Sequence, residues 1–265
     1  MSNVIQITDA AHVRTIRLNR PEKMNAISDE LGWGIVAAVE QAAADDGVWV
    51  IAITGTGAAF CSGLDLTGTG APASPLSPQN RQLDDLSWVS RFLYTLREEC
   101  DKPVVAGING VAVGAGLSLA LGADIRLICR NARLMAGYPR IGGSPDGGMT
   151  FTLSQALGYE GAMRFLLENK TVMGEEAVAL GLAGELVEDG QMDARLAAYC
   201  AFLAERSPIT MRLTKRGLRR ATTAIDLQAQ LRYELANIRT AFASEDAKEA
   251  RKAFFEKRNP VFYGK

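Results

Sequence analysis

The residues of this chain best placed to do chemistry are backbone amides in two glycine-rich stretches and one carboxylate in a third. Gly114-Ala115-Gly116 follows a short apolar strand and an Asn109-Gly110 turn, and it opens an apolar helix. A strand, a glycine-rich turn and a helix start gather several N–H groups where no side chain intrudes, which suits a negatively charged oxygen. A core helix whose glycines merely allow close packing is an equally good reading of this stretch alone.

Residues 55–66 form a second small-residue turn, which follows a buried strand and can offer amides in the same way. As a dinucleotide-binding loop the match is weak, because Phe60 stands where the third glycine would be. A membrane span over residues 103–123 is also disfavoured, since the stretch is rich in glycine and lacks flanking Lys/Arg asymmetry or an aromatic belt.

The third stretch, residues 135–150, places Asp146 between Pro145 and two glycines, from where its carboxylate can project into a cleft. A turn or helix-capping aspartate is the plainer interpretation of Asp146 by itself. Ser144 is not a nucleophile candidate, because its surroundings miss the G-x-S-x-G elbow by one residue and no second histidine could act as its base.

A single histidine, His12, narrows the chemistry further. It lies between two strand candidates, so we expect it near a hairpin turn in solvent. With one histidine, expected in solvent, the chain is a poor candidate for a catalytic triad, a Cys-His pair or a multi-histidine metal site. Acid–base chemistry must therefore come from carboxylates, tyrosine or lysine, with backbone amides supplying electrostatic stabilisation.

Composition indicates one ordinary globular domain. The chain has 265 residues, 48% of them hydrophobic, and a formal net charge of −1, which gives no electrostatic case for nucleic acid or a membrane surface. The N-terminal residues show no secretory signal. The cysteines, Cys61, Cys100, Cys129 and Cys200, lack paired spacing and indicate reduced thiols in a cytoplasmic protein.

The elements that must position these groups are predicted to be α/β in the N-terminal part of the chain and helical in the C-terminal part. Strands are expected at 4–8, 13–18, 48–54, 103–108 and 125–129, and helices at 28–44, 81–99, 225–244 and 245–257. Residues 67–80 are expected to form a surface loop, a candidate lid. From residue 150 the pattern is helical almost throughout. Three successive strand-to-loop transitions separated by helices favour parallel sheet packing or a spiral of such units.

Five motifs together resemble the crotonase, or enoyl-CoA hydratase/isomerase, superfamily. They are NRPEKMNA (19–26), GAAFCSGLDL (57–66), NGVAVGAGLSLALGADI (109–125), SPDGG (144–148) and FFEKR (254–258). The resemblance covers essentially the whole chain. It implies a crotonase-type spiral of repeated ββα units over residues 1–200 and a C-terminal helical region, residues 201–265, for oligomer contacts. It also implies homotrimers or hexamers that act on acyl-CoA thioesters without a cofactor or metal.

The resemblance assigns the oxyanion site to the amides of Leu64 and Ala115, which would hold the thioester carbonyl. Related hydratases carry two glutamates where this chain has Ser118 and Tyr138. Without these two glutamates the chain lacks the groups that catalyse the addition of water, and Asp146 is left as the acid/base. A buried Asp146 is expected to have a raised pKa. The loop resembles the isomerase branches, including the 1,2-epoxyphenylacetyl-CoA isomerases of phenylacetate catabolism.

For the acyl substrate and its coenzyme A, the resemblance implies residues from five parts of the chain. They are Lys23, Ala26, Ser62, Gly63, Asp65, Leu66, Gly114, Tyr138, and, reaching an adjoining subunit's ligand, Phe254 and Lys257. Simpler roles stand beside these: Asp65 as a structural cap, Tyr138 as a packed core residue or hydrogen-bond donor, and Lys257 as a solvated helix charge.

The resulting expectation is an acyl-CoA isomerase of fatty acid or phenylacetate metabolism that shifts a double bond or opens a ring through an enolate. Two enzymatic alternatives are an enoyl-CoA hydratase, which is a lyase, and another crotonase reaction such as naphthoyl-CoA synthesis. A non-catalytic acyl-CoA-binding protein is the alternative of a different class.

Overall fold

The structure is a computed structural model that describes residues 4–67, 75–223 and 226–265. Its strands are β1 (Ile5–Ala10), β2 (Val13–Leu18), β3 (Val50–Gly55), β4 (Ala59–Cys61), β5 (Val104–Ile108), β6 (Val111–Val113), β7 (Ile125–Cys129), β8 (Arg133–Met135), β9 (Val172–Met173) and β10 (Glu185–Val187). Its helices are α1 (Asp29–Ala44), α2 (Pro78–Leu83), α3 (Ser87–Tyr94), α4 (Ala115–Gly122), α5 (Tyr138–Ile141), α6 (Met149–Glu168), α7 (Gly174–Ala179), α8 (Met192–Ala204), α9 (Pro208–Thr223), α10 (Leu227–Ala243) and α11 (Glu245–Glu256).

Two sheets organise these elements. One has the order β1-β2-β3-β5-β7-β10 and the other the order β4-β6-β8-β9. The successive pairs β3–β4, β5–β6 and β7–β8 each give one strand to each sheet and are followed by helices, and the three repeats pair in parallel within both sheets. This architecture is the expected crotonase-type spiral of ββα units with helices at its C-terminal end.

Apolar, β-branched sequence explains the centre of the spiral. Every residue of β3, β5 and α4 is buried, so the uncharged stretch 103–123 is the middle of the core. Ser28 caps the start of α1, where its hydroxyl accepts a hydrogen bond from the Leu31 amide at 3.3 Å. His12 lies in the β1–β2 turn, exposed and stacked on Trp49.

The prediction of a single helix over residues 81–99 is wrong. The segment consists of α2, α3 and a π-helical turn (Thr95–Glu99), with a break at residues 84–86. Asp84 explains the break, because its carboxylate accepts a hydrogen bond from the Leu86 amide at 3.3 Å and pairs with Arg91 at 2.6 Å. This local bond competes with the helical one.

Strands of two or three residues interrupt the predominantly helical segment after residue 150. β9 pairs with β8, and β10 pairs with β7 at the edge of the larger sheet. Gly158, at φ +69°, kinks α6. The predicted division at residue 200 falls inside α8 and stays a prediction about folding units.

Two further expectations concern the surface. Residues 68–74 of the predicted lid loop 67–80 lie outside the described residues, whereas α2 begins at its end. Within the described parts of the chain, no helix combines the length and the apolar character that crossing a bilayer requires.

Candidate active site

One cavity of about 320 Å³ lies where the three strand-to-helix transitions of the spiral meet. Turns after β4, β6 and β8 form its wall, together with the loop before α6. Eight of the residues expected at the site line it: Ser62, Gly63, Leu64, Leu66, Gly114, Ala115, Tyr138 and Asp146. The spiral therefore gathers residues that are more than 80 positions apart in the sequence.

The Leu64 amide is held at this cavity by its neighbours. Segment 24–27 runs beside segment 62–65, and the Ser62 and Asp65 amides each donate to its carbonyls at 3.0 Å. Leu64 lies between these two anchors, and its own amide donates to no acceptor in the described residues. A backbone N–H that its neighbours hold in place and that has no partner is a donor available to a ligand oxygen.

The Ala115 amide belongs to a second turn that lines the same cavity. Ala115 is the first residue of α4, so its N–H has no partner within the helix, and no other described residue accepts it. The positive end of the helix dipole adds to its attraction for an anion. Gly114, at φ +52°, makes the turn into α4.

The two turns touch each other through glycine. A Cβ placed on Gly63, which has φ +97°, would lie 2.7 Å from the Val113 carbonyl oxygen and 3.8 Å from the Ala115 nitrogen. A Cβ on Gly116 would lie 2.7 Å from both the Cβ and the Sγ of Cys61. Absent side chains at these positions let the two amides approach one cavity, so the glycines serve packing and site geometry together.

Cys61, beside the first turn, is a packing residue. It is fully buried, and burial raises the pKa of its thiol to about 12. At that pKa the thiol stays protonated and unreactive near neutral pH.

Asp146 lines the same cavity with its carboxylate bound to Tyr138. The Tyr138 hydroxyl donates to Oδ1 of Asp146 at 2.8 Å, and the Asp146 side chain does not cap α6. Burial raises the pKa of Asp146 above its ordinary value, as expected, and the Tyr138 hydrogen bond partly offsets that rise. A carboxylate with a raised pKa, in the same cavity as two amides that bond to no described residue, is equipped to move a proton next to an oxyanion.

Lys23, Ala26 and Asp65 do not line the cavity but lie directly behind its rim. The Lys23 carbonyl is 3.4 Å from the Ser62 hydroxyl, and Ala26 belongs to the segment that supports Leu64. Hydrogen bonds from Thr67 and Arg20 lower the pKa of Asp65 to about 2. The Asp65 side chain thus stays ionised and holds the rim together.

Phe254 and Lys257 lie away from the cavity of their own chain. Phe254 is 78% exposed on α11, and Lys257 ends that helix in a left-handed conformation. Their contact with an adjoining subunit's ligand stays a prediction.

The sequence reasoning missed Asn25, Arg20 and Arg140. Asn25 is fully buried, and its amide donates to the Thr56 and Ala59 carbonyls at 3.0 and 2.8 Å, which fixes the rim segment to the β3–β4 turn. Asparagine tolerates the positive φ of 56° found at this position, but that conformation is seen in the fold and not in the sequence. Arg140 lines the cavity from α5.

No cluster of three or more histidine, cysteine or acidic side chains suited to a metal ion occurs in residues 4–67, 75–223 and 226–265. Asp146 is likewise the one carboxylate that lines the cavity within those ranges.

Comparison with known proteins agrees with this geometry. The sequence profile described as Enoyl-CoA hydratase/isomerase matches residues 8–265. The chain belongs to the enoyl-CoA hydratase/isomerase family. Within this family, it is 33% identical over 257 residues to the 1,2-epoxyphenylacetyl-CoA isomerase of Escherichia coli, covering 96% of this chain and 95% of that protein.

Solved structures of the family share the whole fold. Enoyl-CoA hydratase subunit I from Geobacillus kaustophilus superposes with a TM-score of 0.86 at 31% identity, covering 100% of both chains. An enoyl-CoA hydratase from Polaromonas gives a TM-score of 0.88 at 26% identity, covering 98% of this chain and 99% of the other. The resemblance stated from the five motifs is confirmed, including its inclination toward the epoxyphenylacetyl-CoA isomerase branch.

Proposed function

We propose that this protein is an acyl-CoA isomerase, which shifts a double bond or opens a ring in the acyl group of a thioester. The observation that carries the proposal is that, among the described residues, two amides without a bonding partner and one carboxylate line the same cavity. Leu64 and Ala115 supply the amides, and Asp146 supplies the carboxylate. Membership of the enoyl-CoA hydratase/isomerase family supports an acyl-CoA thioester as the substrate.

The proposed chemistry starts with proton removal. The Asp146 carboxylate takes a proton from an acidic carbon of the acyl group, and the electrons move toward the thioester carbonyl oxygen. That oxygen gains negative charge as the enolate forms, and the Leu64 and Ala115 amides stabilise it. The protonated Asp146 then returns its proton to a different carbon, so the double bond moves and no atom is gained or lost.

An isomerase is favoured over a hydratase because of what surrounds Asp146. Addition of water in related hydratases uses two glutamates, whose places hold Ser118 and Tyr138 here. Both side chains bond to Asp146 instead. One carboxylate is enough to carry a single proton between two carbons of the same substrate.

The remaining site residues fit a thioester that approaches along the rim. We assign Lys23, Ala26 and the segment 62–66 to the adenine and pantetheine parts of coenzyme A. Phe254 and Lys257 would come from an adjoining subunit of a homotrimer or hexamer. The proposed reaction needs no cofactor beyond the coenzyme A of its substrate, and we place it in the cytoplasm.

A hydratase is the second candidate, because the Geobacillus and Polaromonas structures carry that name. The discriminating experiment offers the purified protein a panel of linear and aromatic enoyl-CoA thioesters, and an epoxide of an aromatic acyl-CoA, in water enriched in oxygen-18. The proposal expects a product of unchanged mass whose double bond has moved or whose ring has opened.

Other outcomes of that experiment overturn the proposal. A 3-hydroxyacyl-CoA product carrying oxygen-18 identifies a hydratase. Tight binding of thioesters across the panel, with every thioester recovered unchanged, identifies a non-catalytic binding protein.

A further inference from the structure

Asp146 is held by two side chains at three of its atoms. The Tyr138 hydroxyl donates to Oδ1 at 2.8 Å and accepts from the Asp146 amide at 3.3 Å. The Ser118 hydroxyl donates to the Asp146 carbonyl oxygen at 3.0 Å. Tyr138 and Ser118 are 6% and 1% exposed, so both side chains are fixed in the core rather than free to follow a ligand.

The loop that carries Asp146 is pressed against this pair. A Cβ on Gly147 would lie 2.8 Å from the Ser118 Cβ and 3.2 Å from the Val89 carbonyl oxygen. Gly147 also has φ +59°, a conformation that favours glycine. The Asp146 backbone is therefore set by α4 on one side and α3 on the other, and its carboxylate by α5.

We propose that Tyr138 and Ser118 are positioning residues that act through Asp146, and that they leave Oδ2 as its single proton-carrying oxygen. This inference rests on the proposed function, since it concerns the base of that reaction. In the described residues, the Tyr138 hydroxyl donates to Oδ1, whereas no side chain donates to Oδ2. Oδ2 takes the proton from the first carbon and gives the same proton to the second.

Tyr138 keeps its own proton throughout these two proton transfers. Burial raises the pKa of Tyr138 to about 12, so the phenol stays a donor near neutral pH. A donor on Oδ1 stabilises the ionised carboxylate and still binds the neutral acid, in which Oδ1 is the carbonyl oxygen. The hydroxyl thus prevents rotation of the carboxyl group while the proton is on Oδ2.

Tyr138 is also the main polar influence on Asp146. The neighbouring helices contact the loop through Val89 and Leu93 of α3 and Ser118 of α4, none of which carries a charge. Arg140 of α5 lines the same cavity, and Tyr138 is the other titratable group that faces the carboxylate. Loss of the phenol should therefore appear directly as a change in how Asp146 titrates.

The first test reads the ionisation of Asp146 without relying on activity. Carbon-13 NMR of protein labelled at aspartate carboxyl groups follows the titration of Asp146 in the wild type and in Tyr138→Phe, with Asp146→Asn used to assign the signal. We expect the Phe variant to titrate about one pH unit higher, because it loses a hydrogen bond to a charged group. Tyr159→Phe, at a 78% exposed tyrosine on α6, is the control and should leave the titration unchanged.

A second variant keeps the test informative if Tyr138→Phe does not fold. Replacing Tyr138 with 3-fluorotyrosine makes the phenol a stronger donor of nearly the same shape, so Asp146 should titrate lower than in the wild type. A purely structural tyrosine would not move the titration in opposite directions with Phe and fluorotyrosine. An unchanged Asp146 titration in both variants overturns the proposal.

The kinetic test uses a thioester that the wild type isomerises. Tyr138→Phe and Ser118→Ala should each lower kcat about tenfold or more while KM changes less than threefold, because a misplaced base affects the transition state rather than binding. The acid limb of the kcat/KM profile should move upward in pH for Tyr138→Phe and stay in place for Ser118→Ala. A tenfold rise in KM with unchanged kcat contradicts the assignment, and so does an unmoved acid limb in Tyr138→Phe.

The two proposals fail separately. A wild-type protein that isomerises no thioester overturns the proposed function, whereas the NMR titration still decides whether Tyr138 holds Asp146. Isomerisation by the wild type with full activity in Tyr138→Phe keeps the function and removes the positioning role.

Discussion

Gly63 shows how much of the site depends on a residue that brings no functional group. Its φ of +97° aims the following Leu64 amide, and its missing Cβ leaves room for the Val113 carbonyl. Substitution at this position must move either the first turn or the second. Both movements separate the amides that we assign to the oxyanion site.

The Gly63→Ala variant should therefore lose activity well beyond its loss of stability. We expect kcat to fall about a hundredfold, as for removal of one oxyanion donor. Gly190→Ala is the matched control, because Gly190 has φ +79° but no heavy atom lies within 4 Å of the place that a Cβ would take. That control should lose about 1 kcal/mol of unfolding free energy with unchanged kcat. Equal kcat in the two variants would contradict the role of Gly63.

Residue-level reasoning proposes a chemistry for this chain but misses some of the residues that support the site. Leu64, Ala115 and Asp146 were assigned through the resemblance, because each lies in one of its short contiguous motifs. Asn25 was missed because its partners, Thr56 and Ala59, lie 31 and 34 positions away. A side chain that donates to a carbonyl far away in the sequence leaves little pattern among its sequence neighbours.

At the scale of elements, α9 is attached to the core by one buried lysine. Lys215 donates to the Leu96 and Lys102 carbonyls at 2.7 and 2.9 Å and pairs with Asp124 at 2.7 Å. Only 7% of Lys215 is exposed. The same Asp124 carboxylate accepts from the Val104 amide at the start of β5, so α9 and the central sheet share one polar junction.

Lys215→Met should weaken this junction, because it removes the cation that pairs with the Asp124 carboxylate. We expect the free energy of unfolding to fall by about 3 kcal/mol, the range for removing one member of a buried ion pair. Lys252→Met on the exposed side of α11 should change it by less than about 0.5 kcal/mol. Urea denaturation of the three proteins gives the comparison, and equal stabilities would show that Lys215 does not anchor α9.

The elements that sequence predicted well are the long ones. Strands and helices with a clear apolar period, such as α1 with its Ser28 cap, lie within a residue or two of expectation. β4, β6 and β8 were not predicted, because three residues inside glycine-rich turns carry no period of their own. Asp84 split the expected helix through a hydrogen bond that the apolar pattern does not show.

At the scale of the whole molecule, α10 presents an apolar face to solvent. Its members recur every three or four residues and are each at least 44% exposed: Leu227, Leu231, Leu235, Ile238 and Phe242. A continuous apolar face of this kind is typical of an interface. It supports the predicted homotrimer or hexamer, which the single chain does not display.

Leu231→Glu places a charge in the middle of this face and should shift the protein to a smaller species in sedimentation velocity. Thr240→Glu adds the same charge to an exposed position on another side of α10 and should leave the assembly intact. If Leu231→Glu sediments like the wild type, the apolar face of α10 is not the interface.

The most direct test of the account is the rate of double-bond migration in Asp146→Asn. Using a thioester that the wild type isomerises, we expect the variant to lose about a hundredfold to ten-thousandfold in kcat, the usual contribution of a general base. Thioester affinity, measured by calorimetry, should change less than threefold, because the two amides and the coenzyme A contacts remain. A variant that retains most of the wild-type rate while binding the thioester normally would contradict the central claim that Asp146 moves the proton.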